Sequence, residues 1–262
     1  MKRWQWLGLL CCLSVNFAQA AMVEKNVGYP VAGKKMQSVL VYDDAVKAPR
    51  PGLVMTPDWL GITPDSLALA KQIAGKDYVI LVADVYGADV RPKNGDEAGK
   101  ATKAMYADRG ALRARINAAL AQLKAQTSNA PLDGTHWGAF GFCFGGATTL
   151  DLARSGADVA GVVSFHGNLG GDASFKDDIK AKVLVLHGAD DKFESPEQIA
   201  AFQQEMRDAK ADWQFVSYGG AVHCFAIPTA DGATPGCKYD PLVAKRALAQ
   251  MHAFFAEIFA AK

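Results

Sequence analysis

Basic runs are absent from this chain: its 28 Lys and Arg are scattered among 27 Asp and Glu, leaving a formal charge of +1. With no cationic stripe to neutralise a phosphate backbone, nucleic acid is not an expected partner. Charged residues are only 21% of the 262 positions and apolar ones 50%, which excludes compositional disorder and suffices for one sizeable core. Repeats, low-complexity tracts and interdomain linkers are missing after Val23, so a single domain is expected over residues 21–262. No cluster of His, Cys and carboxylate has zinc-ligand spacing. Neither a G-x-G-x-x-G series nor a Gly-Lys-Ser/Thr ending is present, so no metal and no organic cofactor is expected.

Long apolar runs are scarce as well. The stretch from Trp6 to Phe17 is shorter than the roughly 18 residues of a membrane span, follows Lys2 and Arg3, and ends in Ala18-Gln19-Ala20. That is the make-up of a signal peptide over residues 1–20 with an A-x-A cleavage site. The expectation is an exported protein, periplasmic or secreted, with no stable membrane insertion after cleavage. Cleavage removes two cations and no anion, so the net charge moves from +1 to −1. Cysteine is sparse: Cys11 and Cys12 leave with the leader, and Cys143, Cys224 and Cys237 remain. An odd number in an oxidising compartment fits one bridge, between the neighbours Cys224 and Cys237, plus a free Cys143; the alternative is three reduced thiols.

Between the turn signals, short apolar runs alternate with helical periodicity. Strands are expected at Val39–Tyr42, Gly52–Met55, Tyr78–Ala83, Trp137–Phe140, Val159–Phe165, Val183–His187 and Trp213–Tyr218. Helices are expected at Pro64–Ala74, Asp108–Gln126, Gly145–Arg154, Pro196–Ala209 and Pro241–Ala260. Such alternation predicts an α/β fold with a mostly parallel sheet covered by helices on both faces. Ligands then bind beyond the carboxyl ends of the strands.

Four strand ends carry chemistry. Gly141-Phe142-Cys143-Phe144-Gly145-Gly146 lies between a strand and a helix. It reads as a nucleophile elbow with Cys in the place of Ser, the glycines at two before and two after allowing the tight turn. A second strand end, His187-Gly188-Ala189-Asp190-Asp191, offers two carboxylates, and a third, Gly219-Gly220-Ala221-Val222-His223, offers a loop histidine. Nucleophile, acid and His thus follow in the chain order of α/β-hydrolases, with His223 as the base for Cys143 and either Asp190 or Asp191 to orient it. The other histidines, 136, 166, 187 and 252, lack that order and read as packed or surface residues, His166 standing at a strand end within reach of a pocket. The fourth strand end is Met55-Thr56-Pro57-Asp58-Trp59-Leu60-Gly61.

On these segments, together with Ala83-Asp84-Val85-Tyr86-Gly87 and Gly220-Ala221-Val222-His223-Cys224-Phe225, the chain resembles the dienelactone hydrolase family from about Val39 to Phe255. The cysteine elbow is the discriminating motif. The resemblance implies an α/β-hydrolase fold, Asp191 as the acid, and an oxyanion hole made by the backbone N–H groups of Trp59 and Phe144. It places Asp58 where the family has a Glu that helps to deprotonate the thiol. Positions where the family grips a substrate carboxylate with arginine are Ala88 and Ile227, neither of which binds an anion. Arg91 and Arg109 are candidates to substitute or are surface charges. The expected activity is hydrolysis of a small-molecule ester or lactone through Cys143, His223 and Asp191. The competing expectation is a non-catalytic binding or thiol redox-sensing protein on the same fold.

Overall fold

The computed structural model describes residues 22–171 and 179–260; the expected leader, residues 1–20, lies outside them. The chain opens as a hairpin of β1 (Met22–Val31) and β2 (Lys34–Asp43). Ala32 and Gly33 turn it with φ of 46° and 79°, as a two-residue primed turn requires. Then follow β3 (Arg50–Thr56), α1 (Pro64–Ala74), β4 (Val79–Val82), α2 (Gly95–Ala107), α3 (Arg109–Lys124) and β5 (Leu132–Phe142). The remainder is α4 (Phe144–Arg154), β6 (Gly161–Phe165), β7 (Lys182–Gly188), α5 (Pro196–Asp208), β8 (Trp213–Tyr218) and α6 (Pro241–Ala260).

These strands form one sheet in the order β1-β2-β4-β3-β5-β6-β7-β8. The pairs β1/β2 and β2/β4 are antiparallel, and every pair from β4 through β8 is parallel. Inner strands are apolar toward both faces, which is why Leu53-Val54, Val162-Val163 and Leu184-Val185 are all inaccessible to solvent or nearly so. One face is covered by Leu112 and Ile116 of α3, Leu150 of α4 and Phe202 of α5. The other is covered by Leu69 and Ile73 of α1 and by Met251 and Phe255 of α6. Both α1 and α5 start with a capping box, Thr63 with Ser66 and Ser195 with Gln198, and with Pro in the first turn.

Two elements depart from the sequence expectation. β1 was not expected because, of its ten residues, only Val27 and Tyr29 are buried, as suits an edge strand. α2 was not expected because it contains two glycines and buries only Ala98, so it has no apolar stripe. Neither alters the functional end. β3 is flanked by β4 on one side and β5 on the other, all three parallel, so the side on which successive strands are added switches there. The loops that follow β3, β5, β7 and β8 open at the same carboxyl edge.

Candidate functional site

Cys143 ends the turn between β5 and α4 with φ 53° and ψ −120°, a strained conformation for a residue with a side chain. Glycine makes that turn feasible. A Cβ on Gly145 would collide with the carbonyl oxygens of Thr56 and Pro57, and one on Gly141 with the carbonyl of Gly145. Strand β3, the elbow and α4 therefore meet backbone to backbone. The thiol is half-buried and is the free cysteine among the described residues.

Across the carboxyl edge, His223 Nε2 lies 3.1 Å from Cys143 Sγ, and its Nδ1 lies 2.7 Å from Asp191 Oδ2. The other Asp191 oxygen accepts the Phe193 N–H at 2.9 Å, which fixes the carboxylate plane. Burial works against a charge on His223, but hydrogen bonds to Asp191 and Cys143 outweigh it and push its pKa up to about 10. Asp190 is exposed; its backbone N–H donates to the Ala221 carbonyl at 2.9 Å and ties the end of β7 to the histidine loop.

The loop after β3 is shaped by Asp58, whose carboxylate accepts the Leu60 N–H at 2.9 Å while its carbonyl accepts the Gly61 N–H at 2.9 Å. Burial raises the Asp58 pKa. Among the described residues no hydrogen bond joins Asp58 to Cys143. The Trp59 carbonyl accepts the Tyr86 hydroxyl at 2.9 Å, and that hydroxyl also meets Thr102 Oγ1 at 3.0 Å. No acceptor for the Trp59 or Phe144 N–H occurs among the described residues, the latter being the first residue of α4, where an amide has no partner within the helix.

Other features of the site emerge only in three dimensions. Phe193 lies with its ring centroid 4.8 Å from that of His223 and is 53% exposed. Glu194 is buried, accepting Asn168 Nδ2 at 2.7 Å and the Leu169 N–H at 3.0 Å. Apart from following a strand end, nothing in the sequence marks these residues. His166 does not line the cavity; it is fully buried behind His223, ring centroids 4.9 Å apart, and burial holds its pKa well below the ordinary value. It therefore adds no second positive charge. His187 is buried, His136 pairs with Asp133, and His252 stacks on Tyr78.

Neither arginine considered for anion binding is available. Arg91 is paired with Asp84 at 2.9 Å and also donates to the Val90 carbonyl, while Arg109 is paired with Asp151 at 2.8 Å and lies over the Tyr106 ring. Ile227 lines the cavity and Ala88 does not.

Cys224 and Cys237 form a disulfide. It closes directly behind His223, whose carbonyl accepts the Lys238 N–H at 2.9 Å. The bridged residues are 13 apart in sequence, and closing a loop of that size stabilises a fold by about 3 kcal/mol. Replacing both, Cys224→Ser with Cys237→Ser, is expected to lower unfolding free energy by about that amount, measured by urea denaturation against the oxidised protein.

A sequence model of the dienelactone hydrolase family matches residues 36–259. An uncharacterized protein of Caenorhabditis elegans is 39% identical over 163 residues, 60% of this chain and 100% of that protein. Among solved structures, a dienelactone hydrolase-like promiscuous phosphotriesterase from metagenomic libraries is 35% identical, with a TM-score of 0.84 over 91% of this chain and 99% of that one. The dienelactone hydrolase of Anabaena variabilis shares the fold at a TM-score of 0.62 and 21% identity, over 91% of this chain and 97% of that one.

Proposed function

Because the chain belongs to the dienelactone hydrolase family, we propose that it hydrolyses a carboxylic ester or lactone with Cys143 as nucleophile, His223 as proton carrier and Asp191 as its orienting acid. The observation that carries this reading is the continuous row from Asp191 Oδ2 through His223 to Cys143 Sγ, with contacts of 2.7 and 3.1 Å. The thiolate attacks the carbonyl carbon, forming a C–S bond. The displaced electron pair collects on oxygen, where the Trp59 and Phe144 amides receive it; such donors are worth about 3 kcal/mol each in acyl transfer. Collapse expels the alkoxide, which takes the proton from His223 and leaves an acyl-thioester. Water then gives a proton to His223 and attacks the thioester, releasing the acid and the thiolate. No step calls on a metal or an organic cofactor. Asp58 acts here through the shape of its loop.

We also propose export to an oxidising compartment, periplasmic or extracellular. The leader-like residues 1–20 support it, as does the disulfide, a bond that is rare in reducing compartments.

The test is turnover of p-nitrophenyl acetate before and after iodoacetamide, with the alkylated residue located by mass spectrometry. Loss of turnover in proportion to carboxamidomethyl-Cys143 supports the mechanism; undiminished turnover after full alkylation of Cys143 overturns it and assigns the nucleophile elsewhere, whereas no turnover by the untreated, folded protein overturns it in favour of a binding or redox role.

The raised pKa of His223 adds a pH signature. An alkyl ester needs the His223 proton for its alkoxide, so kcat/KM for phenylacetic acid methyl ester is expected to fall as pH rises through about 10. A p-nitrophenolate leaves unaided, and kcat/KM for its acetate should show no such decline after subtraction of the spontaneous rate.

A further inference from the structure

Resting on the reading of Cys143 as an ester-cleaving nucleophile, the cavity beside it identifies a substrate class. Its volume is about 500 Å³, within the range of small-molecule sites. Trp59, Leu60, Tyr106, Phe144, Phe193 and Ile227 make its apolar wall. Two of these rings face solvent at the site, Trp59 at 37% and Phe193 at 53% exposure, although each is large enough to bury substantial area. Uncovered aromatic surface of this kind is stabilised by an apolar ligand that displaces its water.

The charges point the same way. Among the described residues no Lys or Arg lines the cavity, whereas three carboxylates do: Asp58, Glu194 and Asp231. Arg91 and Arg109 are held by Asp84 and Asp151. The positive charge of His223 is already met by Asp191 on one side and the Cys143 sulfur on the other. A substrate bearing its own carboxylate would lose hydration on entry and find, among the described lining residues, no Lys or Arg to replace it. Burial raises the pKa of both Asp58 and Glu194, which is the behaviour of a poorly hydrated wall.

We infer that the site selects uncharged esters with a bulky apolar or aromatic substituent and discriminates against substrates that carry a carboxylate. The wall rewards apolar surface, and among its described residues no Lys or Arg offsets the desolvation of an anion.

A matched pair tests this: 4-acetoxybenzoate, an anion, and its methyl ester, which is neutral and nearly the same size. Both release a phenol on deacetylation, and each rate is divided by its spontaneous hydroxide rate. The expected kcat/KM is at least about 30-fold higher for the methyl ester, the consequence of placing an unpaired charge in an apolar pocket. Ile227→Arg puts a cation on the wall and is expected to raise kcat/KM for 4-acetoxybenzoate at least about tenfold, narrowing the gap. Equal kcat/KM for the two esters with the unaltered protein overturns the substrate class and leaves the nucleophile reading standing. Absence of turnover for both by folded, reduced-thiol protein overturns the nucleophile reading and this inference together.

Discussion

Cys143→Ala is expected to lower kcat for p-nitrophenyl acetate by about 10⁴-fold or more, since removing the nucleophile from a triad that works as a unit leaves only binding and oxyanion stabilisation. Nothing else at the elbow should change. Ala keeps the Cβ that the turn already accommodates at φ 53°, and the glycines that permit the turn, Gly141 and Gly145, are untouched. Thermal melting should therefore stay close to that of the parent, which separates loss of chemistry from loss of fold. Cys143→Ser offers a second check. Its hydroxyl fits the same place, yet at neutral pH an alcohol is far less ionised than a thiol paired with an imidazolium, so activity should stay within about tenfold of the Ala variant. Activity of Cys143→Ala above about 1% of the parent would assign the nucleophile elsewhere.

The parts of this site that were legible in the sequence share one property: the chemistry-bearing residue directly follows a strand whose boundary the local pattern marks. The elbow after β5, the Asp190-Asp191 pair after β7 and His223 after β8 are legible in this way, because chain order and turn glycines restrict where such residues can go, whereas the choice of Asp191 over Asp190 comes only with the family resemblance. Elements with strong local signals carry their bounds in the sequence: Pro64–Ala74 with its capped start, Trp213–Tyr218 and Pro241–Ala260. Elements stabilised mainly from outside leave no such local signal. β1 owes its extended form to a ten-residue ladder with β2, and α2 packs too few apolar groups to show a period. The same limit applied within the site. Glu194 holds Asn168 across a separation of 26 residues, and the Tyr86 hydroxyl holds the Trp59 loop across 27. No local pattern encodes such contacts. The Cys224 and Cys237 pairing stood open for a related reason: spacing allows a bridge, but only the course of the loop brings the sulfurs together.

Asp191→Asn and Asp190→Asn, one residue apart, are expected to behave differently by three to four orders of magnitude. With Asp191 in place, Oδ2 accepts a hydrogen bond from His223 Nδ1–H, so the Nε2 lone pair or proton faces Cys143. An amide at 191 can instead present N–H to Nδ1. That selects the tautomer with its proton on Nε2, in which the ring cannot accept one from a thiol or water, and it removes the negative charge that supports the imidazolium. Substitutions of this kind cost about 10⁴-fold in kcat. The pKa of His223, raised in part by Asp191, should fall in the variant, so that less imidazolium faces the sulfur. Iodoacetamide alkylation of Cys143 near pH 7 should therefore slow as well, a readout independent of turnover. Asp190 has an exposed side chain and contributes to the site through its backbone N–H to Ala221, which Asn retains, so Asp190→Asn should keep kcat within about threefold, as surface substitutions usually do. If the two variants lost activity equally, the orienting role could not belong to the Asp191 carboxylate, and the structural distinction between a buried acceptor and an exposed neighbour would have no bearing on catalysis.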